Sequence, residues 1–245
     1  MIGIFDSGIG GITILKEIIK KLPNENYLYY SDSINNPYGE KNEDELLVIV
    51  DNIIKFFISK NCKAVVFACN TATAMTIDKI RNKYPDLICI GTEPAYKMVH
   101  DYSYNKKTLV MATPGTIRSE RFKKLYNKYD NHNTYLLECT NLAKLIEDDN
   151  QKEIELYLKN ILSPYKDIET VVLGCTHYPL VKKNILKILG DVEFFDSGIG
   201  VANQLYNILN EKGLLTKTKE NGTIDFVDST KNKTKEERFN KLLNK

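Results

Sequence analysis

Short apolar runs recur along the chain and alternate with stretches whose apolar residues repeat every three or four positions. The runs lie at 2–5 (IGIF), 27–32 (YLYYSD), 64–69 (AVVFAC), 88–92 (ICIGT), 108–113 (TLVMAT), 171–176 (VVLGCT) and 192–197 (VEFFDS). Runs this short and this continuously apolar suit strands buried on both faces of a parallel sheet. Helical spacing covers 13–22, 42–60, 73–84, 117–129, 151–162, 180–189 and 200–211. Strand alternating with helix predicts an α/β protein whose sites lie at the carboxyl ends of the strands.

At 245 residues the chain could form one domain or two. The polar stretch 101–107 separates two strand–helix series and places a boundary nearby. Internal echoes point the same way: FDSGIG occurs at Phe5 to Gly10 and again at Phe195 to Gly200, and VVFACNTAT from Val65 resembles VVLGCTHYP from Val171. Two similar units facing one another would each contribute a strand-end thiol to a shared cleft, a common place for ligands.

The chemistry concentrates at those strand ends. Cys69 is followed by Asn70, Thr71 and Thr73, and Cys175 by Thr176 and His177, with Pro179 poised to start a helix. A thiol at a helix N-terminus meets backbone N–H groups and a dipole that favour anions, whether thiolate or carboxylate. A buried cysteine is ordinarily a small core hydrophobe, and Cys62, Cys89 and Cys139 keep that reading. Cys69 and Cys175 do not, because core fillers need no such polar company. Asp6 and Ser7 end the first strand, and the glycines that follow allow close backbone approach. The loop nearly matches a dinucleotide fingerprint, with Asp32 where a ribose-binding acid would sit. However, the third glycine is missing and Asp6 would oppose a pyrophosphate. Taken alone, Asn36-Pro37-Tyr38-Gly39 reads as a turn, Glu147 as a solvated helix residue and His177 as a structural histidine.

Composition narrows the field. Lys plus Arg number 34 against 32 Asp plus Glu, a net charge of +2 that gives no reason to expect nucleic acid or a membrane surface as partner. No apolar stretch reaches the roughly 18 residues of a spanning helix, and Met1 opens on IGIFDS without a basic leader, so a cytoplasmic protein is expected. Five widely spaced cysteines, none in a CxxC pair, argue against a disulfide framework and a zinc ribbon.

IGIFDSGIGG, NNPYGEK, VVFACNTATA, IGTEPA, ATPGTIRSERF, LAKLIE and VVLGCTHYPL, in this order and over nearly the whole chain, resemble the glutamate racemase family, within the aspartate/glutamate racemases. The resemblance implies two Rossmann-like, doubly wound, mainly parallel α/β domains related by pseudo-symmetry, with the active site in the cleft between them. The first would comprise 1–94 plus 201–245 and the second 95–200. It implies a cofactor-independent isomerase, without metal, that interconverts L- and D-glutamate for peptidoglycan. Cys69 would take the α-proton from D-glutamate and Cys175 from L-glutamate. Asp6 would support Cys69, while Glu147 and His177 would support Cys175. Asp6, Ser7, Tyr38, Gly39, Asn70, Thr71, Thr176 and His177 match substrate-binding positions. The family often dimerises, so a homodimer is a further implication. The chain starts at the first strand, which argues against activation by a peptidoglycan precursor through an N-terminal extension. Inverting a carbon by one proton off and one on calls independently for two groups on opposite faces, and two thiols from facing domains supply them. The alternatives are a racemase for aspartate or several amino acids, and an amino-acid-binding protein without turnover. The final stretch, 216–245, resembles the family's closing strand and helix, with a frayed, solvated tail as the other reading for its last few residues.

Overall fold

The computed structural model describes residues 1–244. The first series runs β1 (Ile2–Asp6), α1 (Ile12–Lys21), β2 (Tyr27–Ser31), α2 (Glu43–Ser59), β3 (Ala64–Phe67), α3 (Asn70–Lys83) and β4 (Ile88–Gly91). The second runs α4 (Tyr96–Tyr102), β5 (Thr108–Ala112), α5 (Pro114–Arg118), α6 (Glu120–Tyr129), β6 (Thr134–Glu138), α7 (Leu142–Glu147), α8 (Gln151–Leu162), β7 (Thr170–Gly174), α9 (Lys182–Leu189) and β8 (Glu193–Phe195). The chain closes with α10 (Gly198–Glu211), β9 (Ile224–Asp228) and α11 (Lys233–Leu243).

Two sheets form, ordered β4-β3-β1-β2-β9 and β6-β5-β7-β8, and every strand pairing is parallel. Read from the other edge, the second sheet is β8-β7-β5-β6, which repeats β4-β3-β1-β2 strand for strand. β9 is the one addition. Each sheet reverses its winding between its first and third strands, β1 and β3 in one, β5 and β7 in the other. That reversal opens a crevice at the carboxyl ends, where side chains from two neighbouring loops can meet a ligand.

This correspondence sorts the two echoes. Cys69 follows β3 and Cys175 follows β7, equivalent strands, so the cysteine echo tracks the symmetry. The FDSGIG echo does not: its first copy follows the central β1, its second the edge strand β8, which corresponds to β4. The second copy has a different task. Asp196 accepts from Gly198 N–H at 3.2 Å and pairs with Lys182 at 2.8 Å, and Ser197 Oγ donates to the Glu93 carbonyl at 2.5 Å. It fastens one crossing between the sheets to the other. The polar stretch at 101–107 lies beyond the first crossing, over the end of α4 and the loop to β5, inside the second series.

α10 returns to the first sheet, burying Val201, Leu205 and Leu209 against Ile14 and Ile18 of α1. Phe239 of α11 is buried against Tyr29 and Phe226, with ring centroids 5.0 and 4.3 Å away. The C-terminal helix is thus packed on the core as far as Leu243, and Lys245, the last of the residues read as a tail, lies outside the described residues.

Five elements escaped the periodicity, of which β9 and α11 came from the family resemblance alone and β6, α4 and α7 from neither. β6 is a half-exposed edge strand, so it lacks a continuous apolar run. α4 and α7 are too short to show a period. The helix expected over 117–129 is broken at Ser119, whose extended backbone ends α5 and whose hydroxyl caps α6 by accepting from Phe122 N–H at 3.1 Å. Among the described residues, no helix is long and apolar enough to cross a membrane.

Candidate active site

The carboxyl ends of equivalent strands face each other across one small cavity. Ser7 comes from β1, Tyr38 and Gly39 from the loop after β2, and Cys69, Asn70 and Thr71 from β3 and the start of α3. Opposite them stand Thr113 and Pro114 after β5, Cys139 and Asn141 after β6, and Cys175, Thr176 and His177 after β7. The free volume between the walls is about 20 Å³, room for about one water. A far larger groove, about 1210 Å³, opens beside it between α3 and α6 and shares Gly39, Glu40 and Pro114 with the cavity rim. It holds none of the thiols.

Cys69 is the N-cap of α3, so the first amides of that helix point toward its sulfur. Burial, with Asp6 and Cys175 adding negative charge nearby, nevertheless holds the Cys69 thiol well above its ordinary range, against the Ala72 and Ser7 amides. Cys175 has a different neighbour. His177 Nδ1 lies 3.9 Å from its sulfur and 4.0 Å from Asp6 Oδ2, and His177 Nε2 lies 2.9 Å from Glu147 Oε2. Burial opposes charge on this imidazole, yet Cys175, Glu147 and Asp6 together raise its pKa well above the usual histidine range. Burial also opposes charge on Glu147, but His177, the Ile9 amide and Lys235 bring its pKa down to about 2. Both shifts favour a carboxylate–imidazolium pair, with the cation beside Cys175.

The glycine loop after β1 serves this pair. Asp6, fully buried, accepts from Gly11 N–H at 3.0 Å, Gly8 N–H at 3.3 Å and the Thr176 hydroxyl at 3.3 Å, and burial raises its carboxyl pKa. Ile9 N–H donates to Glu147 Oε2 at 3.0 Å. The amides that a pyrophosphate would require are occupied by carboxylates, so the dinucleotide alternative fails on geometry. The Tyr29 hydroxyl braces the loop from β2 by donating to the Gly8 carbonyl at 2.8 Å. Thr13 crosses the interface, its hydroxyl donating to the Thr176 carbonyl at 3.1 Å.

Comparison with known proteins now bears on this arrangement. The family model described as Asp/Glu/Hydantoin racemase matches residues 23–205. The chain belongs to this racemase family. A glutamate racemase of Clostridium botulinum is 41% identical over 248 residues, spanning 99% of this chain and 96% of that protein. Among solved structures, glutamate racemase from Francisella tularensis in complex with D-glutamate superposes with a TM-score of 0.84 at 32% identity, covering 100% of this chain and 93% of its own. A glutamate racemase isoform from Bacillus anthracis gives 0.86 at 31%, covering 100% and 94%. The protein is accordingly an isomerase of the racemase type, and these neighbours share its two-sheet α/β fold.

In this racemase the residues singled out from the sequence fall into two layers. Ser7, Tyr38, Gly39, Cys69, Asn70, Thr71, Cys175, Thr176 and His177 line the cavity, whereas Asp6 and Glu147 stand behind it and reach it through their hydrogen bonds. Glu147, on its own a solvated helix residue, is buried. Cys139 is a core residue of the second half and also lines the cavity.

The sequence reading passed over Thr113, Thr116, Asn141 and Lys144. Thr71 and Thr113 hydroxyls meet at 2.8 Å across the two halves, and Thr113 bonds Thr116 at 3.0 Å. The signal was available: Thr113 and Thr116 belong to ATPGT after β5, at the strand end equivalent to that of Asp6. Tyr38 is fixed from behind, its hydroxyl donating to buried Asp32 Oδ2 at 2.5 Å.

Two glycines are required by the approach of the second half. A Cβ on Gly10 would lie 2.3 Å from His177 Nδ1, and one on Gly8 would lie 2.3 Å from Glu147 Oε2. Glu147 could give by a side-chain rotation, but the buried imidazole ring has nowhere to go. Gly10→Ala is therefore expected to lower kcat by at least ~100-fold, as a displacement of about 1 Å does in a preorganised site, while the far-ultraviolet circular dichroism stays unchanged. Activity within threefold of the parent would show that the ring can move.

Proposed function

We propose that this racemase interconverts L- and D-glutamate without a cofactor, through Cys69 and Cys175 acting as two bases on opposite faces of Cα. The observation that carries this reading is the pairing of two buried thiols, at the ends of equivalent strands β3 and β7, in one cavity. Relatives over the full chain are named glutamate racemase, and one solved neighbour holds D-glutamate.

The electrostatics suit a division of labour. Cys69, beside Asp6, holds its proton; Cys175, beside the imidazolium, has a cation to balance a thiolate. Cys175 S⁻ takes the α-proton of L-glutamate, leaving a planar carbanion, and Cys69 S–H returns a proton to the opposite face. The product state is Cys69 S⁻ and Cys175 S–H; the same steps in reverse start from D-glutamate. An α-proton is far less acidic than a thiol of pKa about 8.5, so the carbanion depends on donors fixed in advance around the substrate carboxylate. Ser7, Asn70 and Thr71 are those donors, joined by the backbone N–H of Thr176, whose hydroxyl is held by Asp6, with the Tyr38–Gly39 loop holding the side-chain end. Glutamate has about ten heavy atoms against a cavity with room for about one water, so the halves 1–94 plus 201–245 and 95–200 part to admit it and close to exclude solvent. In a bacterial cytoplasm the D-glutamate so formed would supply peptidoglycan.

Purified protein incubated with L-glutamate in deuterated water should lose optical rotation while deuterium enters the α-position, with D-glutamate behaving likewise. Faster turnover of aspartate than glutamate would move the substrate assignment to aspartate. Absence of exchange with either amino acid would overturn the catalytic reading.

A further inference from the structure

The carboxylate behind the site is held from a direction that its own half does not supply. α11, which packs on the first sheet through Phe239, points Lys235 and Arg238 at the C-terminal end of α7 in the second series. Lys235 Nζ lies 3.2 Å from Glu147 Oε1, the oxygen that His177 and Ile9 leave free. Arg238 donates to the carbonyls of Glu147 and Ile146, the latter at 2.6 Å, and pairs with Asp149 at 3.4 Å. A guanidinium on the last carbonyls of a helix satisfies acceptors that the helix cannot. One cation thus fixes the backbone of Glu147 while the other fixes its side chain.

We propose that Lys235 is a positioning residue of the racemase site, clamping Glu147 together with Arg238 so that the charge His177 presents to Cys175 is set from the C-terminal helix. The inference rests on the two-thiol reading for its kinetic consequence but not for its electrostatic one. Glu147 faces His177 and, beyond it, Cys175; Asp6 and the Tyr29 hydroxyl on the β1–β2 side; Lys235 and Arg238 on α11; and Asp149 after α7. On its own helix, Lys144 and Asp148 pair with each other at 2.5 Å. Lys235 is therefore the only ammonium on the carboxylate among the described residues. It draws electron density from the oxygen pair that His177 bonds. Without it Glu147 becomes a stronger acceptor, His177 holds its proton more tightly, and the imidazolium is drawn toward Glu147 and away from the Cys175 sulfur it faces.

The test compares Lys235→Met and Lys235→Arg with the parent. Lys235 is partly exposed, so both variants should fold, and near-ultraviolet circular dichroism checks it. Lys235→Met is expected to lower kcat about tenfold in both directions, with KM within twofold and the alkaline limb of the kcat/KM profile moved up by about one pH unit, the size of effect that loss of a nearby like charge has on the imidazolium. Lys235→Arg should recover kcat to within about threefold. The chain has three histidines, so the ¹⁵N shift of His177 Nε2 at pH 7 can be assigned. It should move in Lys235→Met and return in Lys235→Arg. An unmoved shift, an unchanged kcat and pH profile, or a failure of arginine to rescue overturns the clamp. If the parent turns over no amino acid, the functional reading fails by itself, and the ¹⁵N shift still decides the clamp.

Discussion

Cys69→Ala and Cys175→Ala should each lose at least ~10³-fold of glutamate inversion in both directions, at the upper part of what one acid–base group contributes. On the proposed mechanism each thiol is the base in one direction and the acid in the other, so removing either would leave no route through the planar intermediate and the loss would be symmetrical. What remains should be one-sided. On that mechanism Cys175→Ala keeps the thiol that would serve D-glutamate, and Cys69→Ala the thiol that would serve L-glutamate. Slow α-deuterium exchange with retention is expected for the matching enantiomer alone. Both side chains are small and fill little space, so the fold should survive, with unfolding free energy down by no more than about 2 kcal/mol. Chiral chromatography with mass detection checks both outcomes. Inversion at the parental rate in either variant would end the two-base reading.

Glu147→Gln is expected to weaken both the fold and the activity. It removes the counter-charge of a fully buried imidazolium, and breaking such a pair from one side costs about 3–5 kcal/mol. For a chain of this size that is a fall in melting temperature of about 10 °C. The imidazole escapes part of the cost by losing its proton, so kcat should fall about 100-fold as Cys175 loses its cationic neighbour.

The same pair predicts how the parent responds to pH. The Glu147 pKa is brought from 4.5 unfolded to about 2 folded, so its stabilisation is complete above about pH 4.5 and drains away as pH falls toward 2. The His177 pKa is raised from 6.5, so its contribution is complete below that value and lost as pH climbs through the higher folded one. Thermal unfolding should peak between those limits in the parent. In Glu147→Gln the acid-side loss should be shallower. A melting temperature and acid profile matching the parent would show that the pair carries no stability.

The positions of seven strands, the expectation of parallel pairing and the place of both thiols after apolar runs were legible along the chain, because burial on two faces forces continuous apolar segments, whereas the order of the strands within each sheet was not. β6 was not legible, since an edge strand with one wet face needs no such run. Of the two repeated motifs, FDSGIG is the stronger in letters and the weaker in meaning; only the pairing order showed that its copies follow strands that do not correspond.

Glu147 marks the same boundary from the other side. Nothing in LAKLIE distinguishes its last residue from a solvated helix end, and its place behind His177 becomes visible only once the Ile9 amide and Lys235 arrive from segments far away in the chain. The sequence by itself determined the local periods, the helix caps and which residues end on strand tips, because these depend on a few neighbours and on the solvent. Which tips face each other, which glycines must stay bare beneath His177 and Glu147, and which cation reaches a buried carboxylate were decided by tertiary packing alone. Those contacts join residues far apart in the chain, 170 positions in the case of Asp6 and Thr176, and no local physical preference encodes a partner at that distance.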